Sequence, residues 1–307
     1  MKVLISGGTG FIGRSLAASL LKDGHLVWLL SRSAASGRMP PGAQVVKWDA
    51  RSAAGWGGLM NEIDTVVNLC GKSLSSWPWT KATQREFLES RVFAGAALVE
   101  AIQQASHRPG VLLQASGINH YGLRGSRADE STPPGEDFLA RLTVDWEAAT
   151  RPVEELGVRR VVTRSAVVLG KGEGLLPLMS LPVRLYVGGP LGSGEQSMPW
   201  IHIADEIGAM RFLIDQESAR GPYNLIAPQP TSSAEFMRRL AHALKRPYWF
   251  PTPAFLLRLV LGGMSVLVVE GRFSQPKRLS ESGFRFRFPG LEEAFADLFP
   301  MGSNPHS

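Results

Sequence analysis

Three glycines near the start of the chain have the spacing of a loop that binds a dinucleotide. Gly7, Gly10 and Gly13 lie between the apolar run 3–5, a predicted strand, and the stretch 14–22, whose apolar residues recur with a helical period. Such a loop lets the backbone approach a diphosphate, and the N–H groups at the start of the helix attract the anion. The alternative is an ordinary glycine turn of an α/β protein. We predict that the cofactor contacts Gly7, Thr9, Gly10, Phe11, Ile12 and Gly13.

The end of the second predicted strand indicates which dinucleotide is bound. The strand 25–30 runs into Ser31-Arg32-Ser33, and no Asp or Glu occurs within 25–39. An acid about 20 residues beyond the glycines would bind the ribose 2′-hydroxyl of NAD, whereas an arginine accommodates the 2′-phosphate of NADP. We therefore expect NADP(H), with its phosphate on Arg32 and on Ser31 or Ser33. The alternative is a solvated loop arginine.

The fourth predicted strand ends in residues that we also assign to the cofactor. This strand covers 64–71, and Leu69, Cys70 and Gly71 lie at its carboxyl end, where open α/β sheets bind ligands. Gly71 would let the backbone approach the cofactor. No histidine lies near Cys70 in the sequence, so we interpret this cysteine as a packing residue and not as a nucleophile.

Two hydroxyl groups near the end of the fifth predicted strand are candidates for catalysis. Ser116 belongs to the strand 110–117 and Tyr121 follows it, so either hydroxyl is expected near the nicotinamide. For Tyr121 the alternative is an aromatic wall of the pocket, and for Ser116 it is a hydrogen bond to the local backbone. Ser116 is also expected to contact the cofactor.

Three other polar residues are interpreted as structural. His202 lies in an alternating Trp-Ile-His-Ile run and is more often a satisfied core histidine than a base. Asp205 is expected near the start of a helix, and Glu130 is expected to order its own loop. The six histidines and the one cysteine form no cluster with the spacing of metal ligands, so no metal site is predicted.

Predicted strands and helices alternate through about residue 169, which indicates an α/β fold with a doubly wound parallel sheet of the Rossmann type. We assign residues 1–169 to the dinucleotide-binding domain, to which a strand near 221–227 returns. A smaller α/β region on the substrate side follows over 170–300 and includes a C-terminal extension at about 250–299. Residues 301–307 are predicted to be a frayed tail.

Four segments carry specific expectations about secondary structure. Residues 138–155 have a helical pattern, and 160–169 are expected to form the sixth strand. The apolar run 259–269 is too short to span a bilayer and is predicted to be a buried helix. Residues 284–288 alternate strictly between phenylalanine and arginine, which is typical of a half-buried strand.

Composition restricts the class of protein. With 307 residues, of which 44% are hydrophobic and 20% charged, the chain can bury a large core. The net charge is +6, but the arginines are scattered along the chain, so neither nucleic acid nor a membrane is expected as a partner. A single cysteine and the absence of a signal peptide before the first strand predict a cytoplasmic protein. The oligomeric state is left open.

The motifs together resemble the extended short-chain dehydrogenase/reductase superfamily, and more narrowly its atypical epimerase-family branch, which carries a small C-terminal extension. The resemblance covers nearly the whole chain and implies a Rossmann domain, a bound nicotinamide dinucleotide and a C-terminal part on the substrate side. The broad resemblance rests on the glycine loop with 68–71, 121–122 and 164–170. The narrow one rests on Ser90-Arg91, Asp145-Trp146-Glu147, 188–194, 199–203, Pro276-Lys277-Arg278-Leu279 and Gly283-Phe284.

The catalytic pair that the resemblance implies is missing from the sequence. In that superfamily a lysine lies four residues after a tyrosine, because its cation lowers the pKa of the phenol and holds the ribose. The four tyrosines of this chain are followed, four residues on, by Gly125, Pro190, Ala227 and Thr252. The helix that should carry the pair has Leu139 and Thr143 at about the matching positions.

These observations predict an NADP(H)-dependent oxidoreductase of the atypical extended short-chain type that acts on a small molecule. Tyr121 or Ser116 would polarise the substrate oxygen. The missing tyrosine–lysine pair motivates a second hypothesis, a regulatory or interaction protein that binds NADPH without turnover. The pocket beside the nicotinamide should discriminate between the two, since an enzyme needs an enclosed cavity with convergent polar groups.

Overall fold

A seven-stranded parallel sheet lies at the centre of the computed structural model, which describes residues 1–33, 39–123, 125 and 127–300. The predicted frayed tail, 301–307, lies outside these ranges. The strand order is β10-β6-β5-β4-β1-β2-β3, and every neighbouring pair is parallel. The strands are β1 (Lys2–Ser6), β2 (Leu26–Ser31), β3 (Gln44–Lys47), β4 (Thr65–Asn68), β5 (Val111–Gly117), β6 (Arg159–Ser165) and β10 (Gly221–Leu225).

Helices cover both faces of this sheet, as the predicted fold class requires. On one face, α1 (Phe11–Lys22) and α5 (Ile203–Asp215) pack on the side chains of Val3 and Ile5. On the other face, α2 (Lys81–Gln104) packs on Leu4. Because both faces are dry, the strands are continuous apolar runs. The expected α/β fold with a doubly wound parallel sheet is confirmed.

The strand order reverses at β1, whose two neighbours are β2 and β4. The chain builds outwards on one side through β2 and β3, and on the other side through β4, β5, β6 and finally β10. In open α/β sheets, ligands bind outside the carboxyl ends of the strands at such a reversal. The glycine loop follows β1, so it lies at this point.

A second, smaller layer follows β6. Its three-stranded sheet has the order β8-β7-β9, and its core surrounds the buried ring of Trp200. The strands are β7 (Val167–Gly170), β8 (Glu173–Gly174) and β9 (Trp200–His202). Helix α3 (Phe138–Ala148) precedes β6 and packs on α2 and β5. The further helices after β8 are α4 (Leu176–Arg184), α6 (Ser233–Ala243), α7 (Ala254–Leu261), α8 (Val266–Val269), α9 (Lys277–Glu281) and α10 (Leu291–Leu298).

Two predicted elements near the sheet are divided in the structure. The expected strand 160–169 is interrupted at Ala166, where the chain leaves the large sheet and enters the small one, because the N–H of Val167 donates to Pro199 beside β9. The expected helix 138–155 ends at Ala148. Beyond it, Pro152 lacks an N–H, and 151–154 form a 3₁₀ turn.

Two predictions near the C-terminus are wrong. The run 259–269 is not one buried helix: Leu259 is 79% exposed, and Gly262, with a φ of 54°, separates α7 from a 3₁₀ turn and α8. Residues 284–288 alternate in exposure as expected, but they do not form a strand, because their backbone pairs with a carboxylate and not with a neighbouring strand. Within the described ranges, no helix is both long and apolar enough to cross a membrane.

That carboxylate belongs to Asp205, in the first turn of α5. Asp205 is buried; its Oδ1 accepts from the N–H of Arg287 at 2.7 Å, and its Oδ2 accepts from the N–H of Phe288 at 2.9 Å. Asp205 therefore ties the C-terminal segment to the helix that supports the large sheet.

Asp205→Ala is expected to lower the free energy of unfolding by about 1–3 kcal/mol, because it leaves two backbone donors without their charged acceptor. Urea denaturation measures the change. Asp215→Ala, at an exposed acid on the same helix, should change the free energy by less than about 0.5 kcal/mol. Equal effects of the two substitutions would contradict the proposed role of Asp205 in holding the C-terminal segment.

Candidate functional site

The main chain of the glycine loop packs directly against the main chain at the end of β4 and at the start of α1. A Cβ added at Gly7, whose φ is 72°, would lie 2.7 Å from the carbonyl carbon of Leu69 at the end of β4. A Cβ at Gly13 would lie 2.5 Å from the carbonyl oxygen of Gly7. Helix α1 begins at Phe11, and no side chain caps it at Gly10. Its first N–H groups are therefore suited to an anionic ligand.

A cleft of about 750 Å³ lies beside this loop and brings together three of the predicted stretches. The loop, the end of β2 and the end of β4 all contribute, although they are far apart in the sequence. The predicted cofactor residues that line the cleft are Gly7, Thr9, Gly10, Ser31, Arg32, Leu69, Cys70 and Gly71. Gly13 packs behind the loop instead of lining the cleft.

The end of β2 presents Arg32 to this cleft. The Ser31 hydroxyl donates to the carbonyl of Ser33 at 2.8 Å, and the N–H of Ser33 lies 3.3 Å from the same hydroxyl oxygen, so a tight turn holds Arg32 at its tip. The sequence reasoning missed a second arginine, Arg51, which also lines the cleft. Its N–H donates to Asp49, which follows β3, and a basic residue after the third strand is the signal that could have found it.

Cys70 is a half-buried wall of the cleft. Burial raises the pKa of its thiol, against the positive charges of Arg32 and Arg91. The thiol is therefore protonated at neutral pH, which agrees with its interpretation as a packing residue. In the described part of the chain, no group of three or more His, Cys, Asp or Glu side chains is arranged to hold a metal ion.

A second, mainly apolar cavity of about 590 Å³ lies on the other side of the loop and shares Ser73 with the first. Phe11 and Ile12 form its wall towards the loop. Leu139 and Thr143, one turn apart on α3, also line it; these are the positions matched above to the missing tyrosine and lysine. Neither side chain titrates, so this helix offers the cavity no proton donor of that kind.

Ser116 lines this second cavity. Its hydroxyl donates to Oε1 of Glu147 at 2.7 Å, so its lone pairs are left to face a ligand. Burial opposes ionisation of Glu147, but the bidentate hydrogen bonds from Arg164, at 2.8 and 2.9 Å, bring the pKa of Glu147 below its usual value. Ser116 is therefore held by an ionised carboxylate.

Tyr121 is directed away from this cavity. It is 1% exposed, its hydroxyl donates to Asn224 at 2.6 Å and accepts from Arg164 at 3.1 Å, and it is not among the cavity-lining residues. Burial raises the pKa of this phenol. The geometry therefore argues against Tyr121 as the group that polarises the substrate. Burial lowers the pKa of the adjacent His120 to about 4, so that imidazole is neutral at pH 7.

Arg91 on α2 is a buried cation in the wall of the second cavity. Its Nη1 donates to the carbonyls of Lys72 and Phe87, its guanidinium lies 4.6 Å from the Trp146 ring, and its Nε has no hydrogen-bond partner. Burial lowers its pKa to about 10, so it stays charged. Among the described residues no carboxylate contributes to the shift of its pKa, and its unpaired Nε suits an anionic ligand.

The three residues interpreted as structural make structural contacts. His202 caps α5 by accepting from the N–H of Ala204 through Nδ1. Glu130 is buried, and its Oε1 accepts from the N–H groups of Asn224 and Arg278, which ties its loop to β10 and α9. Asp205 holds the C-terminal segment, as described above.

Comparison with known proteins supports the resemblance seen in the sequence. Residues 3–225 match the NAD dependent epimerase/dehydratase family, and residues 252–298 match a domain of unknown function, DUF1731. The epimerase family protein YfhF of Bacillus subtilis is 37% identical over 300 residues, which cover 97% of this chain and 98% of that protein. The expected resemblance, including the C-terminal extension, is confirmed.

Solved structures of other proteins share the fold of this chain. The human epimerase family protein SDR39U1, isoform 2, crystallised with NADPH, superposes with a TM-score of 0.88 at 36% identity over 97% of this chain and 99% of that one. The UDP-glucose 4-epimerase of Thermus thermophilus, in complex with NAD, superposes with a TM-score of 0.78 at 20% identity over 98% and 100% of the two chains. At that identity the second likeness concerns the fold alone.

Gly13→Ala is expected to destabilise the protein by about 1–3 kcal/mol, because the new Cβ would meet backbone atoms that cannot move aside cheaply. It should also abolish any rise in melting temperature on addition of NADPH, which is used here as the probe. Thermal unfolding with and without NADPH measures both effects. Gly58→Ala is the control, because a Cβ there meets open space; a similar loss in this variant would contradict the argument.

Proposed function

The chain belongs to the NAD dependent epimerase/dehydratase family, and we propose that it is an NADP(H)-dependent oxidoreductase of the atypical extended short-chain type, acting on a small molecule. The observation that carries this proposal is the pair of cavities that meet at the glycine loop. One has the size and the basic residues for a dinucleotide with an additional phosphate, and the other is a mainly apolar space for a substrate.

The first cleft fits NADPH by the chemistry of its walls. The loop would hold the diphosphate at the start of α1, and Arg32 with Arg51 would hold the 2′-phosphate at the far end of the cleft. The relative solved with NADPH supports this choice of cofactor. Once bound, the dinucleotide supplies a hydride at its nicotinamide ring.

The residues of the second cavity would bind and orient the substrate. Ser116 is fixed by Glu147 and offers lone pairs to a substrate hydroxyl, while Arg91 supplies a positive charge in a dry wall. Leu139 and its apolar neighbours would exclude water, which strengthens both polar contacts. We also propose, from composition alone, that the protein works in the cytoplasm on a small molecule and not on nucleic acid or a membrane.

A second function is favoured by a specific observation on α3. Leu139 and Thr143 line the cavity where the superfamily resemblance implies a tyrosine and a lysine, and the Tyr121 hydroxyl is engaged elsewhere. A protein with this site that binds NADPH without turning it over would be a regulatory or interaction protein. Turnover separates the two functions.

Arg32→Asp is expected to weaken NADPH binding relative to NADH by about tenfold or more, because a carboxylate repels the 2′-phosphate and can bind a 2′-hydroxyl. Fluorescence titration of both cofactors measures this preference. Arg184→Asp, the same change of charge at the exposed end of α4, is the control and should leave the preference unaltered. An unchanged preference in Arg32→Asp would refute the assignment of the phosphate site.

NADPH oxidation, followed in the presence of sugars, ketones and quinones, tests the proposed activity. The parent protein should oxidise NADPH with at least one carbonyl class. For a substrate that also carries a hydroxyl group, Ser116→Ala should reduce kcat/KM about 100-fold, because that hydroxyl loses the acceptor that orients it. Ser218→Ala, at an exposed serine, is the matched control. NADPH binding without any turnover in the parent would favour the regulatory function.

A further inference from the structure

Glu206, in the first turn of α5, is a fully buried acid without a cation. It is 0% exposed, and among the described residues no charged side chain contributes to the shift of its pKa. Oε1 lies 2.6 Å from the hydroxyl oxygen of Ser165, and Oε2 has no hydrogen-bond partner. The fold thus keeps an unpartnered carboxyl oxygen in its interior, which calls for a physical explanation.

The carboxyl group is neutral in such a place. Removing a carboxylate from water without a compensating charge is so unfavourable that the group takes up a proton instead. Burial raises the pKa of Glu206 to about 8, and the hydrogen bond to Ser165 opposes the shift only in part. The nearby titratable groups face elsewhere: Asp205 binds the backbone of the C-terminal segment, and His202 faces Asp297.

Ser165 connects this acid to the second cavity. It is the last residue of β6, lies beside Gly117 at the end of β5, and lines the same 590 Å³ space as Ser116. Ser165 donates to Oε1 of an ionised Glu206 at 2.6 Å, whereas the O–H of a protonated Glu206 can donate to the Ser165 oxygen instead. In the second arrangement the serine hydrogen is free to bind a ligand in the cavity. A proton can therefore pass from the interior to a ligand through a single hydroxyl group.

We propose that Ser165 is the catalytic proton donor of this cavity and that Glu206 supplies the proton behind it. The inference rests on the proposed oxidoreductase function and names the group that the missing tyrosine–lysine pair leaves unassigned. Glu206 itself does not touch the substrate and acts through Ser165.

The step balances for reduction of a carbonyl by a nicotinamide dinucleotide. As the carbon gains a hydride, the C=O π bond breaks and its electron pair moves to the oxygen. That oxygen bonds to the proton of Ser165, whose O–H bond breaks while Ser165 takes the carboxyl proton of Glu206. Glu206 is left as a carboxylate and regains a proton from water when the product leaves.

Ser116 is less suited to this role, although it lines the same cavity. Its hydrogen is already donated to Glu147, which is ionised and paired with Arg164. Near the ends of the neighbouring strands β5 and β6, Ser116 and Ser165 are therefore each in contact with a glutamate, and the two environments drive the glutamates to opposite protonation states. This difference in environment makes Glu206 the acid and leaves Glu147 as a fixed negative charge.

Infrared spectroscopy tests the protonated acid without any need for turnover. The difference spectrum between the parent, with NADPH bound, and Glu206→Gln should show the carbonyl stretch of a protonated carboxyl group at pH 7, which disappears as the pH rises past about 8. The amide of glutamine can still donate to the Ser165 oxygen, so folding should be preserved. Absence of this band would overturn the proposal.

The pH dependence of NADPH oxidation tests the route to the substrate. In the parent, kcat should fall about tenfold per pH unit above the midpoint of the infrared titration, whereas Glu206→Gln should be about 100-fold slower and nearly independent of pH. Ser165→Ala should be equally slow, and Ser165→Thr, which keeps the hydroxyl, should recover activity. Glu130→Gln, at a buried acid that does not line the cavity, should keep the parent profile.

The outcomes separate this inference from the function on which it rests. A parent that turns over, together with a Glu206→Gln variant that keeps the parental pH profile, would overturn the proton route and leave the oxidoreductase function intact. A parent that binds NADPH but reduces no carbonyl would refute the oxidoreductase function and the proton route with it, even if the infrared band is present.

Discussion

The packing of the glycine loop against the end of β4 is the constraint on which both cavities depend. Gly7 and Gly13 permit backbone contacts that any side chain would prevent, since added Cβ atoms would lie 2.7 Å and 2.5 Å from main-chain atoms. This contact fixes the start of α1. Thr9 and Gly10 consequently face the nucleotide cleft, whereas Phe11 and Ile12 face the second cavity. One turn of chain thus separates the surface of the cleft from the surface of the second cavity.

Around this frame, several buried charged groups have well-defined surroundings. Glu147 is held by Arg164 and in turn holds Ser116, Asp205 holds two backbone donors, and Arg91 lies among carbonyls and an aromatic ring. Glu206 keeps one carboxyl oxygen without a hydrogen-bond partner, and no charged group offsets the effect of its burial. Since a buried charge that has lost its partner costs several kcal/mol, these surroundings are as much a part of the fold as the apolar core.

The local sequence pattern predicted the large sheet, the glycine loop and most of the residues that line the cleft beside it. It could do so because the glycine spacing, the apolar strands and Arg32 are each recognisable within a dozen residues. It did not predict the contacts made at long range. Ser165 contacts Glu206 only because β9 leads into α5, which packs against β6. Arg91 reaches the cavity only because α2 packs on α3. The alternating sequence over 284–288 correctly predicted alternating burial, but the predicted strand does not form. Alternation in the sequence does not specify which group the backbone N–H groups bind.

At Ala166 the chain passes directly from the large sheet into the small one. This junction affects how the architecture can diversify. The residues before Ala166 complete the cofactor-side scaffold, and those after it belong to a separately packed layer around Trp200. Substitutions in that layer can reshape the space offered to a ligand while the phosphate-binding turn stays in place. The junction therefore allows a lineage to change the second cavity without rebuilding the glycine loop and the cleft beside it.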